Sequence, residues 1–468
     1  MKHSNNLLTA LCATIVLAFS VAKAGDMVDI HKSKADGLAA LADIKSKDKS
    51  PVGAAALCEL SARWHGMPVR MAVDKKKEGI DGFDIRHQKG SGRVIVTAHD
   101  APGLLYAAYE LLRMQATTGR LSASHIKADP AFKYRILSPS AFLNVCVGDS
   151  ATGKSPWNWD EVNGEKGTMS LDQKDLLTGY ARFCASVGIN GLVFDSDGSQ
   201  AGMPSDRYID KVSVVAALLR PYAIQVYLTV RFGPSGASTT SQSGLSGDEK
   251  KEKSWKIWLR ETYRKIPNLG GFVVFIPSHA NADATVANTA GHDAYAFASL
   301  VTAEYKALAI SGDALCSACR GALQPTVNIP YGVLPRPQGV DGISIMVEDR
   351  VFTALSAVPT GKPSASVAAD AMLVPTMVGC DMSAMADAMM QQTDLPDTAD
   401  AAQPRADADK AARLRAMTYA FGRMSWNPDL PVSAITDEWV HFSSLRGWTP
   451  KPVPEENGVG AFWGNSIY

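Results

Sequence analysis

Strands alternating with amphipathic helices from Tyr134 to Val378 predict an α/β fold centred on a (β/α)8 TIM-type barrel, residues 131–385. Two further observations frame that centre. Short alternating strands and one apolar helix precede Pro130, which predicts an α/β accessory domain over residues 25–130. Helical patterns follow an Ala-, Asp- and Met-rich stretch, Met382–Asp409, and predict a short helical region over residues 386–468.

In the accessory domain, Val69–Val73, Gly82–Arg86 and Arg93–Ala98 read as strands. Asp100-Ala-Pro-Gly then turns the chain into Leu104–Met114, whose Leu104, Leu105, Ala108, Leu111 and Leu112 recur at helical spacing. In the centre, strands are expected at Arg135–Val147, Gly191–Asp195, Ile224–Phe232, Gly271–Ile276, Asp313–Ala318, Leu323–Ile329, Gly342–Val347 and Ala371–Val378. Helices are expected at Leu171–Val187, Tyr208–Leu219, Glu252–Ile266 and Ala294–Ala309. Such alternation implies a parallel sheet with crossover helices. Ser235–Ser254 reads as a polar loop, Lys410–Phe421 as a helix, Asn427-Pro-Asp as a turn and Val432–Ser443 as a last helix.

The 468 residues carry 47 Lys and Arg against 47 Asp and Glu, so no basic surplus points to nucleic acid or an anionic membrane. The first residues resemble a bacterial signal peptide: Lys2 and His3, an apolar run from Leu7 to Val21, then Ala22-Lys23-Ala24 as a cleavage site. This predicts a secreted or periplasmic protein beginning near Gly25, with a charge of 45 − 47 = −2. The run is short for the ~20 apolar residues of a spanning helix. Beyond the leader, six cysteines are too sparse for a disulfide scaffold, and Cys316-x-x-Cys319 has no second pair to complete a zinc set. Neither metal nor cofactor is expected.

Gly148-Asp-Ser-Ala-Thr-Gly-Lys-Ser155 matches a phosphate-binding loop letter for letter. Pro156-Trp-Asn-Trp follows it, however, where phosphate binding needs a helix N-terminus. In a barrel, working residues sit at the C-terminal ends of strands. Those ends carry Asp195 and Asp197, Arg231, His279, Asn328, and Glu348 with Asp349. Glycosidases use two carboxyl groups, and Asp195 or Asp197 with Glu348 or Asp349 could form such a pair; the same residue types also serve as solvated loop residues or N-caps. His279 fits either an acid–base role or an ordinary surface histidine. Trp157, Trp159 and Trp255 fit core or rim packing better than stacking on a sugar.

Several segments resemble the α-glucuronidases that remove glucuronic acid or its 4-O-methyl ether from xylan fragments, glycoside hydrolase family 67. Tyr180–Gly191 is similar to that family's helix-to-strand passage, Leu219–Leu228 to its “FRPYGIKVYLSV”, and Tyr263–Phe272 to its “IYKLIPDFGGF”. Tyr419–Leu430 and Asp437-Glu-Trp439 resemble the start of its helical C-terminal domain. Gly82–Arg86 and Asp100–Leu112 fit its N-terminal domain.

The resemblance implies a glycoside hydrolase with a carbohydrate partner, xylo-oligosaccharide side chains. Its departures fall where the family's chemistry lies. Pro139–Asn144 stands for “HWDNLDG”, and Asp195-Ser-Asp-Gly198 for “NNVN”. Phe275 and His279 stand for the lysine and the general-acid glutamate of “VKANSEG”, and Gly332 for the aspartate of “KNGPIDFQPRE”. Arg336 is retained, and Asp349 or Glu348 is the counterpart of the carboxylate in “QITQEY”. Much of the family's C-terminal domain has no counterpart, so the helical region reads as truncated. The resemblance therefore implies His279 as acid candidate, Asp349 or Glu348 as base and Arg336 as a substrate-binding position, and the strand-end positions add Asp195, Asp197, Arg231 and Asn328 as substrate-binding candidates. The alternative is a catalytically inactive carbohydrate-binding homologue, a pseudoenzyme.

Overall fold

The computed structural model describes residues 28–30, 43–76, 79–130, 134–137, 157–194, 203–231, 248–275, 309–311, 344–346, 371–373 and 432–443, with scattered positions between 293 and 300 and between 415 and 430. The chain is mixed α/β and divides into two compact units, Met1–Asp129 and Pro130–Tyr468.

The first unit opens with β1 (Val28–Asp29), β2 (Ile44–Ser46) and α1 (Pro51–Arg63). Next come β3 (Val69–Val73), β4 (Phe83–Gln88), β5 (Arg93–Ala98), α2 (Ala101–Thr117), β6 (Arg120–Leu121) and β7 (His125–Ala128). β1 and β6 form a short antiparallel pair. The remaining strands make a sheet of order β2-β3-β5-β4-β7. β2, β3 and β5 run parallel, and β4 runs antiparallel to both β5 and β7. The expected strands at 69–73, 82–86 and 93–98 are present almost residue for residue.

Asp100 caps α2 by accepting the Gly103 N–H at 2.8 Å, a bond typically contributing ~1 kcal/mol. Its other carboxylate oxygen accepts the Asp81 N–H at 3.0 Å. Burial, then the neighbouring Asp81 charge, raises the Asp100 pKa above the ordinary carboxyl value of 3.8. A Cβ at residue 103 would stand 2.5 Å from the Gly82 carbonyl oxygen and 3.1 Å from the Ala98 Cβ. Glycine there lets α2 lie directly on the sheet face that carries Ala98. Leu104, Leu105, Ala108 and Leu111 are fully buried along the helix.

The second unit begins with β8 (Tyr134–Leu137) and a small hairpin of β9 (Val162–Asn163) and β10 (Thr168–Met169). It continues through α3 (Leu171–Ser186), β11 (Gly191–Phe194), α4 (Asp206–Leu219), β12 (Gln225–Arg231), α5 (Glu249–Lys265) and β13 (Leu269–Phe275). β14 (Ala309–Ser311), β15 (Ser344–Met346), β16 (Ala371–Leu373) and α6 (Val432–Ser443) complete it. Seven strands form one sheet of order β15-β14-β13-β12-β11-β8-β16. Every pairing in it is parallel. The outermost strands, β15 and β16, approach within 8 Å at their Cα atoms.

Two expectations shift. Ala309, read as the last residue of a helix, opens β14, and the expected strand Asp313–Ala318 lies outside the described residues. Residues 249–254, read as the end of a polar loop, are the first turns of α5, because Asp248 caps the Lys250 and Lys251 N–H groups. The expected strand Leu323–Ile329 lies outside the described residues, and β14 pairs directly with β15. The Asn427 turn is present, with the Leu430 N–H donated to the Asn427 carbonyl at 3.2 Å.

Asparagines stitch the strand beginnings together. The Arg135 N–H is donated to the Asn190 side-chain oxygen at 2.8 Å, and the Gln225 N–H to the Asn190 carbonyl at 2.9 Å. The Asn268 amide donates to the carbonyls of Ala216 at 3.1 Å and Ile224 at 3.0 Å. Below them, the fully buried Arg135 places its guanidinium 5.0 Å from the Trp426 ring centroid and donates Nε to the Gly188 carbonyl. Gly188 is left-handed at φ +88°, and a Cβ there would meet the Trp426 ring at 2.7 Å. The C-terminal helical residues are tied together by Arg423, which grips the Glu438 carboxylate at 2.7 and 2.9 Å while the Tyr419 hydroxyl donates to it at 3.0 Å. In α3, Tyr180 and Cys184 are buried one turn apart, and burial pushes the Cys184 thiol well up.

Candidate functional site

Because all seven strands run parallel, their C-terminal ends share one edge of the sheet. In α/β folds this is the edge where loops build sites. β11 ends at Phe194, directly before Asp195, and β12 ends at Arg231 itself. β13 ends at Phe275, four residues before His279, and β15 ends at Met346, two before Glu348. Asp195, Asp197, His279, Asn328, Gly332, Arg336, Glu348 and Asp349 themselves lie outside the described residues, as does the phosphate-loop-like Gly148–Ser155.

Arg231 is the one proposed site residue whose backbone is described. It pairs in register with Phe275 on the neighbouring strand. Adjacent strands lie ~4.8 Å apart, so Arg231 is one strand away from the position where the resemblance expects a lysine. The next pairings in the same row are Phe275 with Ser311 and Ser311 with Met346.

An aromatic wall stands beside the end of β11. Trp157 packs edge-on against Phe194 at 5.4 Å and against Trp159 at 5.5 Å. Trp159 contacts Tyr208 at 5.4 Å, and its carbonyl accepts the Lys211 ammonium at 2.7 Å. Trp157 and Trp255 are buried, which fits the packing role expected for them; Trp159 is half-buried. Trp255 packs on Trp258 and Phe297. Sequence reasoning gave no role to Tyr208, whose place behind Trp159 follows from α4 starting at its Ser205 cap. Among the described residues, no group of three or more His, Cys, Asp or Glu could hold a metal ion. No described helix is long and apolar enough to cross a membrane.

The segments with family-like sequence share a location. Tyr180–Gly191 runs from α3 into β11, Leu219–Leu228 from α4 into β12, and Tyr263–Phe272 from α5 into β13. All three enter strands at their N-terminal ends, where the Asn190 and Asn268 bonds lie. The departures follow the C-terminal ends. One exception occurs within a matched segment: Ala223, where the family segment reads glycine, is left-handed at φ +59°.

The stretch of the chain that matches known proteins includes these three segments. Residues 114–307 match the glycosyl hydrolase family 67 middle domain. The chain is 25% identical over 226 residues to the probable alpha-glucuronidase A of Aspergillus clavatus, covering 44% of this chain and 24% of that protein. It is 26% identical over 213 residues to the probable alpha-glucuronidase A of Aspergillus fumigatus, covering 45% and 24%. It is also 26% identical over 185 residues to the alpha-glucuronidase A of Emericella nidulans, covering 39% and 21%. The match thus spans about a quarter of each relative's length. Among solved structures, a GH138 enzyme targeting pectin rhamnogalacturonan II superposes with a TM-score of 0.49 at 11% identity, over 82% of this chain and 51% of that one. Over residues 114–307 the chain is thus similar to the middle domain of glycoside hydrolase family 67.

Proposed function

We propose that the parallel sheet closes into a (β/α)8 barrel over residues 131–385, and that its mouth takes glucuronic-acid-bearing xylo-oligosaccharides. The observation that carries this reading is the family match over residues 114–307, whose retained segments lie at strand beginnings. The approach of β15 to β16 supports closure. In this reading Arg231 supplies the cation for the uronate carboxylate, one strand over from Phe275. An arginine pairs with a carboxylate through two parallel hydrogen bonds, which suits the planar group better than a lysine does. The accessory domain (25–130) precedes the barrel in sequence and the helical region (386–468) follows it, and the leader directs export.

Turnover by this mouth would need a charged His279 to protonate the leaving oxygen while Glu348 or Asp349 activates water. An ordinary histidine pKa of ~6.5 leaves most of the imidazole neutral at pH 7, and the glycine at 332 offers no carboxylate to hold it charged. Binding without family-rate hydrolysis is therefore the expected behaviour. The test combines calorimetric binding of an aldouronic xylo-oligosaccharide with release of 4-O-methylglucuronic acid over hours. Expected are measurable binding, an affinity loss of about tenfold or more in Arg231→Ala, as for a hydrogen bond to a charged group, and little sugar release. Robust release that disappears in His279→Ala would overturn the binding reading and establish a histidine-based hydrolase. Absence of both binding and release would overturn the substrate class.

A further inference from the structure

The first unit's sheet has a second face that the strand-end site does not use. Ala98 faces α2, so Val94 and Val96 share that buried side and Arg93, Ile95 and Thr97 lie opposite. The same alternation places Lys45, Arg70, Asp84, Arg86, His125 and Lys127 on the opposite side. Within the first unit, α1 and α2 pack against one another, with α2 on the Ala98 side.

Register across the sheet aligns Lys45, Arg70, Ile95, Arg86 and His125 in one row over β2, β3, β5, β4 and β7. With strands ~4.8 Å apart, Arg70 and Arg86 originate about 10 Å apart with Ile95 between them. Arg93 lies two residues before Ile95, opposite Gln88. Three acids temper this charge. Asp43 pairs with Arg70 and, at 3.6 Å, with Lys45. The buried Asp84 faces His125 at 3.3 Å, and Asp129 pairs with Lys127 at 3.1 Å. Arg86 and Arg93 are exposed and make no ion pair among the described residues. With histidine neutral, five cations against three carboxylates leave 5 − 3 = +2 on this face, in a chain whose total is zero.

We infer that this face docks an acidic polysaccharide, with Arg86 and Arg93 taking uronate carboxylates and Ile95 lying against the apolar side of a sugar ring. Three interspersed carboxylates weaken the face for the dense phosphates of nucleic acid, whose binding depends on many cations releasing counterions. Two free guanidinium forks around an apolar residue fit sparse carboxylates on partly apolar rings. The choice of glucuronoxylan as the polymer rests on the function proposed above; the charge geometry does not.

The test is native affinity electrophoresis of the full chain in gels holding glucuronoxylan, unsubstituted xylan or polygalacturonate. Glucuronoxylan should retard the wild type and unsubstituted xylan should not. Arg86→Glu/Arg93→Glu should weaken retardation at least fivefold, and Arg86→Gln/Arg93→Gln less. Lys166→Glu/Lys253→Glu, with the same change in net charge at exposed positions of the second unit, should leave retardation unchanged. Circular-dichroism melts confirm that the variants fold. Equal retardation of wild type and Arg86/Arg93 variants, equal loss in the lysine variant, or stronger retardation by duplex DNA would overturn the proposal, as would no retardation by either acidic polymer. Retardation by polygalacturonate alone would sustain the face and overturn glucuronoxylan as the ligand. Loss of short-oligosaccharide binding in Arg231→Ala with polymer retardation intact would separate this face from the barrel mouth.

Discussion

The two sheets of this protein bury themselves differently. In the first unit, β5 alternates between buried positions and exposed or half-buried ones from Arg93 to Ala98, whereas all four residues of β11 in the second unit are buried. A sheet covered by helices on one face can carry polar side chains along the whole length of its strands. A parallel sheet covered on both faces is mostly apolar, the buried Arg135 of β8 and Thr229 of β12 being exceptions, so most of its polar chemistry is left to strand ends. The sites proposed for the two units follow this difference, a face in the first and an edge in the second.

The largest expected effect breaks the edge-bound sheet. Phe272 is fully buried and contacts Trp258 at 5.7 Å and Phe297 at 5.3 Å. Phe272→Ala should cost about 3–5 kcal/mol, read from urea unfolding followed by tryptophan fluorescence. A cost under about 1 kcal/mol would mean that this core does not hold the second unit together.

The next pair of variants sharpens the description of the one-sided sheet. Met71, on the buried side of β3, should cost about 2–5 kcal/mol when replaced by alanine. Thr97, on the opposite side of β5, should cost within about 0.5 kcal/mol. Similar costs for the two would refute the division of that sheet into a core face and an open face.

A smaller effect, of opposite sign, is expected at Ala223. A left-handed backbone penalises a Cβ, so Ala223→Gly should stabilise the second unit by about 1 kcal/mol, seen as a raised urea midpoint at unchanged slope. No gain would mean that neighbouring contacts compensate for the strain.

The smallest is a pH dependence. The folded pKa of Asp100 lies above its unfolded value because burial, then Asp81, disfavours the charged form. Its contribution to stability is thus fully present below the unfolded value, near 3.8, and falls as pH rises through the higher folded value. Asp100→Asn retains the cap but does not titrate. Wild-type stability minus that of Asp100→Asn should decline as pH rises from 3 to 6; a rising difference would reverse the assignment.

What could be read from the sequence follows the same division. The alternating strands of the first unit were legible because a half-buried strand writes its period into its residues, as Arg93–Ala98 does. β7 was missed: its four residues, His-Ile-Lys-Ala, are too few to establish a period. α1 was missed as well, since its alanine-rich Pro51–Arg63 carries only a shallow apolar stripe, although Ser50 caps it through the Gly53 N–H. In the second unit, β11, β12 and β13 were legible from apolar runs between amphipathic helices. β14 was missed because Ala309–Ser311 has no β-branched run to separate it from the preceding helical pattern. For the candidate site, the sequence supplied residue types at strand ends, and the register of Arg231 beside Phe275 required the sheet itself.

The buried Cys184 gives the second unit an internal clock. A thiol pushed well up by burial holds almost no thiolate at neutral pH, and the thiolate is the species that alkylating reagents capture. Cys184 should therefore remain unmodified until α3 lifts from the core, while the exposed Cys58 in the first unit reacts at once. Labelling with iodoacetamide and counting adducts peptide by peptide would then report how often the second unit opens, with the first unit's cysteine as the reference for a thiol that never closes.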